Sequence, residues 1–132
     1  MINIQLPPYA QALGIGIDHE DRGSPVLFMD FSDRILGRPG FLHGGAMSGL
    51  AEMAAMAALR AEMERRGENL RLKPVNVQVE FMRGGTNQRT FAVGTVTRAG
   101  RRVALVNAEC WQDDRTKPIA LAQMKFLLSP AE

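Results

Sequence analysis

Residues 46–59 read Ala46-Met47-Ser48-Gly49-Leu50-Ala51-Glu52-Met53-Ala54-Ala55-Met56-Ala57-Ala58-Leu59, and this stretch decides the fold. Through Glu64 it holds no proline, no β-branched residue and no glycine except Gly49. Alanine, methionine, leucine, glutamate and arginine dominate, all strong helix formers, so one long helix is expected over Ala46–Glu64. Arg65-Arg66-Gly67 ends it, because basic residues suit a helix C-terminus and glycine supplies the cap. Apolar residues occupy every face of residues 46–59, the pattern of a helix surrounded by protein.

The chain on either side reads as strands. Val75, Val77, Val79 and Phe81 alternate with Asn76, Gln78, Glu80 and Met82, a period of two that marks a strand with one buried face. Thr90–Arg98 and Arg102–Trp111 follow as strands around an Ala99-Gly100 turn, and Ile119–Leu128 is the last, after a polar loop over Asp113–Pro118. Upstream, Leu36–Gly45 carries four glycines and one proline and is a loop. Ser24-Pro25 introduces a strand over Val26–Phe31. Pro7–Leu13 forms a short helix ended by Gly14, and Ile15–Asp18 a short strand. One helix followed by hairpin-connected strands predicts an α+β domain, the helix packed on an antiparallel sheet.

At 132 residues the chain is one domain, 1–132. Size scaling predicts about 6,900 Å² of folded surface against about 21,000 Å² unfolded, enough burial for a core without disulfides. Apolar residues at 45% and charged residues at 23% exclude intrinsic disorder. Sixteen basic against 14 acidic residues give +2, which does not argue for nucleic acid. The pI near 9.1 still leaves room for a local anionic ligand. A single cysteine, Cys110, excludes an internal disulfide and a thiolate metal cluster, and two histidines without ligand spacing predict no metal site. Met1–Ile17 is uncharged but lacks the basic start and cleavage site of a signal peptide. With no membrane span either, the expectation is a soluble cytoplasmic protein.

Glu52 is the single charge in residues 46–59. Its helical neighbours Ser48, Gly49, Ala55 and Met56 offer no basic partner. Sealed in such surroundings a carboxylate is costly and its pKa rises. Either Glu52 sits at the helix's one wet edge, or pairs with a distant arginine, or lines a pocket as a base or nucleophile.

His43-Gly44-Gly45 stands directly ahead of the helix. A helix's first turn presents unpaired N–H groups and partial positive charge, and glycine lets a ligand oxygen approach closely. That is the geometry of an oxyanion hole for acyl transfer. His43 itself is either a general base or a residue that shapes the loop. Glu52 lies nine residues beyond His43, about 13.5 Å of helical rise and half a turn out of phase. A nucleophile and an oxyanion donor must both lie within about 3 Å of the reacting atoms, so one chain's helix start and its own Glu52 do not serve one carbonyl. If both act, they belong to different subunits.

The run Gly40-Phe41-Leu42-His43-Gly44-Gly45-Ala46-Met47-Ser48-Gly49-Leu50-Ala51-Glu52 resembles the hotdog-fold acyl-CoA thioesterases. The branch in question includes the phenylacetate-pathway and Arthrobacter-type 4-hydroxybenzoyl-CoA enzymes. Their pattern is Gly-x-x-His-Gly-Gly, four residues, Leu, then an acid nine beyond the histidine, and every element is present. The resemblance extends over about 25–128. It implies five or six antiparallel strands wrapped around the helix, paired into a homodimer and often a homotetramer. It also implies an acyl-CoA substrate and no separate cofactor, coenzyme A being part of the substrate. Gly44 N–H would polarise the thioester carbonyl while Glu52 of the other subunit activates water or attacks. Gly45 would line the site. Two positions depart from the branch: Gly37 stands where an asparagine is common, and Lys73-Pro74 where a serine or threonine is common. Ser48 and Asn76 are the candidate substitutes. The departures at Gly37 and Pro74 motivate a second expectation, a module of this fold that binds an acyl-CoA or related thioester without hydrolysing it. A third, a dehydratase or hydratase of the same fold, lacks a second acid–base partner on the helix.

Arg98, Arg101 and Arg102 flank the Ala99-Gly100 turn, either as a solvated hairpin tip or, as the resemblance implies, as a grip on coenzyme A phosphates. His19 lies among Asp18, Glu20, Asp21 and Arg22 and reads as solvated. Cys110 has no basic neighbour and reads as a structural thiol. Ser48 lies in no Gly-x-Ser-x-Gly elbow, which argues against a serine triad.

Overall fold

The computed structural model describes residues 4–131. A short helix α1 (Pro8–Ala12) leads into strands β1 (Ile15–Asp21) and β2 (Ser24–Met29). A single 3₁₀ turn at Asp33–Ile35 precedes the long helix α2 (Gly44–Arg65). Four strands follow: β3 (Leu70–Phe81), β4 (Thr90–Ala99), β5 (Val103–Trp111) and β6 (Ala120–Pro130). They form one antiparallel six-stranded sheet in the order β1-β2-β4-β5-β6-β3, curled around α2. This is the hotdog architecture, with β1 and β3 as its edges.

Three strands carry one extra residue each: register shifts between Ile17 and His19, between Pro74 and Asn76, and between Val96 and Arg98. Bulges of this kind bend a strand and add twist, which helps the sheet close round the helix. The helix lies against the sheet through alanines. Ala51, Ala54, Ala55, Ala57, Ala58 and Ala61 are all buried, as are Leu50 and Leu59. The helix comes close to the sheet at Gly94 on β4, where an added Cβ would lie 2.7 Å from the Ala54 carbonyl oxygen and 2.8 Å from Ala58 Cβ. The small residues on both sides set that distance, so the helix composition reflects close packing as well as propensity.

Several element bounds differ from the sequence reading, each for an identifiable reason. β1 runs on through His19-Glu20-Asp21, because charged residues sit comfortably on an edge strand. Its tight turn to β2 uses Arg22 and Gly23, with φ of 54° and 83°, the dihedrals of a two-residue hairpin turn. β2 therefore starts at Ser24 and ends at Met29, before Phe31. β3 begins at Leu70, five residues before Val75. Pro74 falls inside it and is tolerated because β3 is an edge and the strand bulges there. The helix starts at Gly44, inside the stretch read as loop.

Candidate active site

His43 is the N-cap of α2. Its Nδ1 accepts from Gly45 N–H at 2.8 Å, so the ring carries its proton on Nε2 when neutral. Ala46 N–H and Met47 N–H both donate to the His43 carbonyl. Gly44 N–H is left with no partner among the described residues. Of the first-turn donors His43 thus consumes those next to Gly44 and leaves one free, beside two glycines. Phe81, at the end of β3, lies alongside: an added Cβ on Gly44 would meet the ring at 3.5 Å.

Glu52 is half-buried, not sealed. Gly45, Ser48, Glu52, Met53 and Met56 all retain exposed surface along one side of α2, so the helix that looked uniformly apolar has one open strip. Within it Ser48 Oγ donates to Glu52 Oε2 at 3.1 Å, holding the carboxylate against the helix.

The strand beside this strip is apolar and uncovered. Val77, Val79 and Phe81 stand opposite the buried Met124, Ala122 and Ala120 of β6, which puts all three on the helix side of the sheet. Val77 is nevertheless 40% exposed and Phe81 55%. The helix covers the centre of the sheet and stops short of its β3 edge.

Other sequence-predicted residues lie elsewhere. Asn76 stands opposite Lys125 on the outer face, in a small cavity with Thr97 and Gln123, and the chain does not bring it to Glu52. The departure at Gly37 has a steric basis, since an added Cβ would lie 3.1 Å from His43 Cα and 3.3 Å from Leu42 O, both backbone. A side chain there would require the His43 backbone to give by a few tenths of an ångström. Cys110 is buried with its Sγ 3.9 Å from the Met47 carbonyl, and burial pushes its pKa up to about 12.

Arg98, Arg101 and Arg102 do come together. They line a broad outer-face basin of about 1240 Å³ with Arg71, Lys73, Val103, Leu105 and Leu127. Arg71 and Lys73 were missed in the sequence, although their alternation with the buried Leu72 marks them as outward-facing. No charged partner is described for any of these five, so the basin is a concentrated positive field facing solvent. No helix among the described residues is long and apolar enough to cross a membrane.

Comparison with known proteins places the chain in a family. The model of the acyl-CoA thioesterase N-terminal domain matches residues 36–127, well over half of the chain. The medium/long-chain acyl-CoA thioesterase YigI of Salmonella typhimurium is 22% identical over 120 residues, covering 82% of this chain and 77% of its own. A Chromobacterium violaceum protein of known structure is 34% identical with a TM-score of 0.74, over 95% of this chain and 85% of that one. A variant of the phenylacetic acid degradation protein PaaI from Thermus thermophilus shares the fold at 24% identity and a TM-score of 0.76, over 92% and 98% of the two chains. The chain belongs to the acyl-CoA thioesterase family of the hotdog fold, enzymes that hydrolyse thioesters.

Proposed function

We propose that acyl-CoA hydrolysis runs in a site divided between two copies of this chain. One copy supplies Gly44 N–H to the thioester oxygen, and the other supplies Glu52. The observation that carries this reading is the free Gly44 N–H at the helix start. Glu52 of the same chain lies eight residues on, about 12 Å further along the axis. That is too far for both to meet one carbonyl group.

The exposed edge of β3 supplies the means of pairing. Two β3 strands running antiparallel across a two-fold axis would satisfy their free backbone groups and cover Val77 and Phe81. The same pairing sets the Lys73 end of one copy beside the Phe81 end of the other. The basic basin of the second copy then lies toward the Gly44 of the first. Arg71, Lys73, Arg98, Arg101 and Arg102 are suited to coenzyme A phosphates there.

With Gly44 N–H on the carbonyl oxygen, Glu52 either takes a proton from water as the water oxygen attacks, or attacks the carbon itself. In the first route the tetrahedral adduct expels coenzyme A as thiolate, and the proton held by Glu52 passes to the sulfur. In the second the carboxylate oxygen bonds to the carbonyl carbon and the C–S bond breaks, so coenzyme A leaves as thiolate and an anhydride stays on Glu52. Water then cleaves the anhydride to the free acid and the Glu52 carboxylate, and its released proton goes to the thiolate. The apolar strip of Met53, Met56, Val77 and Phe81 suits a hydrocarbon acyl chain, in keeping with the medium/long-chain name of the Salmonella relative.

The test is release of free thiol from acyl-CoAs of graded chain length. Glu52→Gln is expected to lose at least about a hundredfold in kcat while remaining assembled. Mixing Gly44→Pro with Glu52→Gln subunits should restore about a quarter of wild-type activity, since half the dimers are mixed and each mixed dimer has one intact site. No recovery despite confirmed mixing overturns the shared site. Undiminished turnover by Glu52→Gln overturns the role of the acid. Binding of acyl-CoA without turnover by wild type would favour the non-hydrolysing alternative, which the departures at Gly37 and Pro74 motivate. After a single turnover in ¹⁸O-water, label in Glu52 identifies the anhydride route, because it enters only when water attacks the Glu52 carbonyl of an anhydride.

A further inference from the structure

We propose that Gln112 is the positioning residue that holds Gly44 N–H in place, an inference that rests on the reading of Gly44 as the thioester-oxygen donor.

Gln112 follows β5 directly and is only 8% exposed. Its amide reads Thr86 as one strand reads another. Oε1 accepts from Thr86 N–H at 3.1 Å, and Nε2 donates to Thr86 C=O at 3.0 Å. The second Nε2 hydrogen goes to Thr90 Oγ1 at 3.0 Å, and Oε1 also accepts from Thr86 Oγ1 at 3.4 Å. A buried amide needs its partners, and here each is filled. Turned over, the amide would set donor against donor at Thr86 N–H and acceptor against acceptor at Thr86 C=O, so its orientation is fixed.

Thr86 passes that fixity on. It forms an isolated bridge with Phe41, and Gly85 C=O accepts from Leu42 N–H at 2.9 Å. Two residues beyond Leu42 stands Gly44. No strand of the sheet pairs with residues 36–43. Their backbone partners among the described residues are one another, Asp33 and Ile35 before them, Ala46 and Met47 in the first turn of α2, and Gly85-Thr86. Of these, Gly85-Thr86 is the link back toward the sheet, and Gln112 joins it to β5. The side chain thus acts on Gly44 through a chain of backbone contacts and touches no reacting atom itself.

An oxyanion donor is sensitive to placement, a shift near 1 Å costing up to about a hundredfold in rate. Gln112→Met keeps the length and apolar stem but leaves Thr86 N–H and C=O unmatched. Its kcat is expected to fall ten- to a hundredfold with KM changed less than about threefold. The Gly44 and Gly45 amide resonances should shift in ¹⁵N spectra. Should Gln112→Met fail to fold, Gln112→Glu keeps the shape and the acceptor while losing the Thr86 C=O donor, and the same two readouts apply. Val106→Ala, a cavity variant in the middle of β5, should lower stability while leaving kcat and the Gly44 resonance as in wild type. Unmoved Gly44 and Gly45 resonances in the Gln112 variants would overturn the proposal. So would a kcat loss that the control reproduces. If the resonances move and kcat does not, the link to Gly44 holds and the oxyanion reading of Gly44 is what fails.

Discussion

Ser48 Oγ and Glu52 Oε2 are 3.1 Å apart, one helical turn from each other on the open strip of α2. This is a local hydrogen bond between a hydroxyl and a carboxylate at i,i+4, and it fixes the direction in which Glu52 presents its second oxygen. Ser48→Ala frees the carboxylate to swing without removing it. A fall of about three- to tenfold in kcat is expected, far short of that for Glu52→Gln, with little change in stability. A Ser48→Ala loss as large as that of Glu52→Gln would show instead that the hydroxyl takes part in the chemistry.

His43 spends its Nδ1 on Gly45 N–H. His43→Ala should cost about 1 kcal/mol of stability as a lost N-cap, measured by urea unfolding at fixed protein concentration. His43→Asn retains a capping oxygen and should recover most of that loss. If the asparagine variant is stable yet inactive, the ring is a base rather than a cap.

Gly94→Val forces a side chain into a place where α2 lies close against the sheet. The nearest atoms include the Ala54 carbonyl oxygen and the Ala55 Cα, 2.7 and 2.9 Å from the added Cβ, and neither can turn aside. Destabilisation of about 1–3 kcal/mol or more is expected, whereas a substitution at the exposed Thr95 next to it should be nearly neutral.

Cys110 gives a pH signature. Burial raises its pKa from 9.0 to about 12, so between those values the folded chain keeps a proton that the unfolded chain has lost. Its contribution is complete below pH 9 and falls as pH rises through that window, by about 1 kcal/mol per unit. The difference in urea midpoint between wild type and Cys110→Ala should therefore shrink between pH 8 and pH 10 if both remain folded. A pH-independent difference would refute it. In the folded state the thiol should also resist alkylation at pH 8.

The basin predicts a split between parts of the substrate. Arg98→Ala and Arg71→Ala should raise KM for acyl-CoA about three- to tenfold, more at low salt than at high. Neither should alter KM for the same acyl group on N-acetylcysteamine, which lacks the phosphates. Equal effects on both substrates would remove coenzyme A from the basin.

Much of this molecule is legible in its sequence, and the exceptions share a physical cause. The long helix announces itself by composition, and the middles of β3 to β6 by their period of two. His43, Gly44 and Glu52 stand out because glycine pairs and a lone acid are conspicuous where they occur. What escaped notice depends on neighbours that sequence does not display. The start of β3 was hidden by Pro74, which reads as a breaker until the strand is known to be an edge. The charges of His19-Glu20-Asp21 read as loop for the same reason. Asn76, by contrast, is the polar member of the alternation with Val77 and Val79, which already turns it to the outer face opposite Lys125. Gln112 and Thr86 are 26 residues apart and meet through one side chain, a contact that leaves no periodic trace.

The bulges have a consequence for how such a chain can change length. In β1, β3 and β4 the residue skipped in the pairing is Asp18, Val75 and Thr97 respectively. Each is a surplus link, for the partners on either side of it are already consecutive on the opposite strand. Deleting Val75 joins Pro74 to Asn76 with Phe126 and Lys125 still across from them, and every downstream side chain keeps its face. Deleting Val77 instead slides the remainder by one and turns Phe81 to the outside and Glu80 inward. The sheet can therefore lose a residue at three places and keep its inside and outside, and those are where shorter members of such a lineage should be found to have lost one.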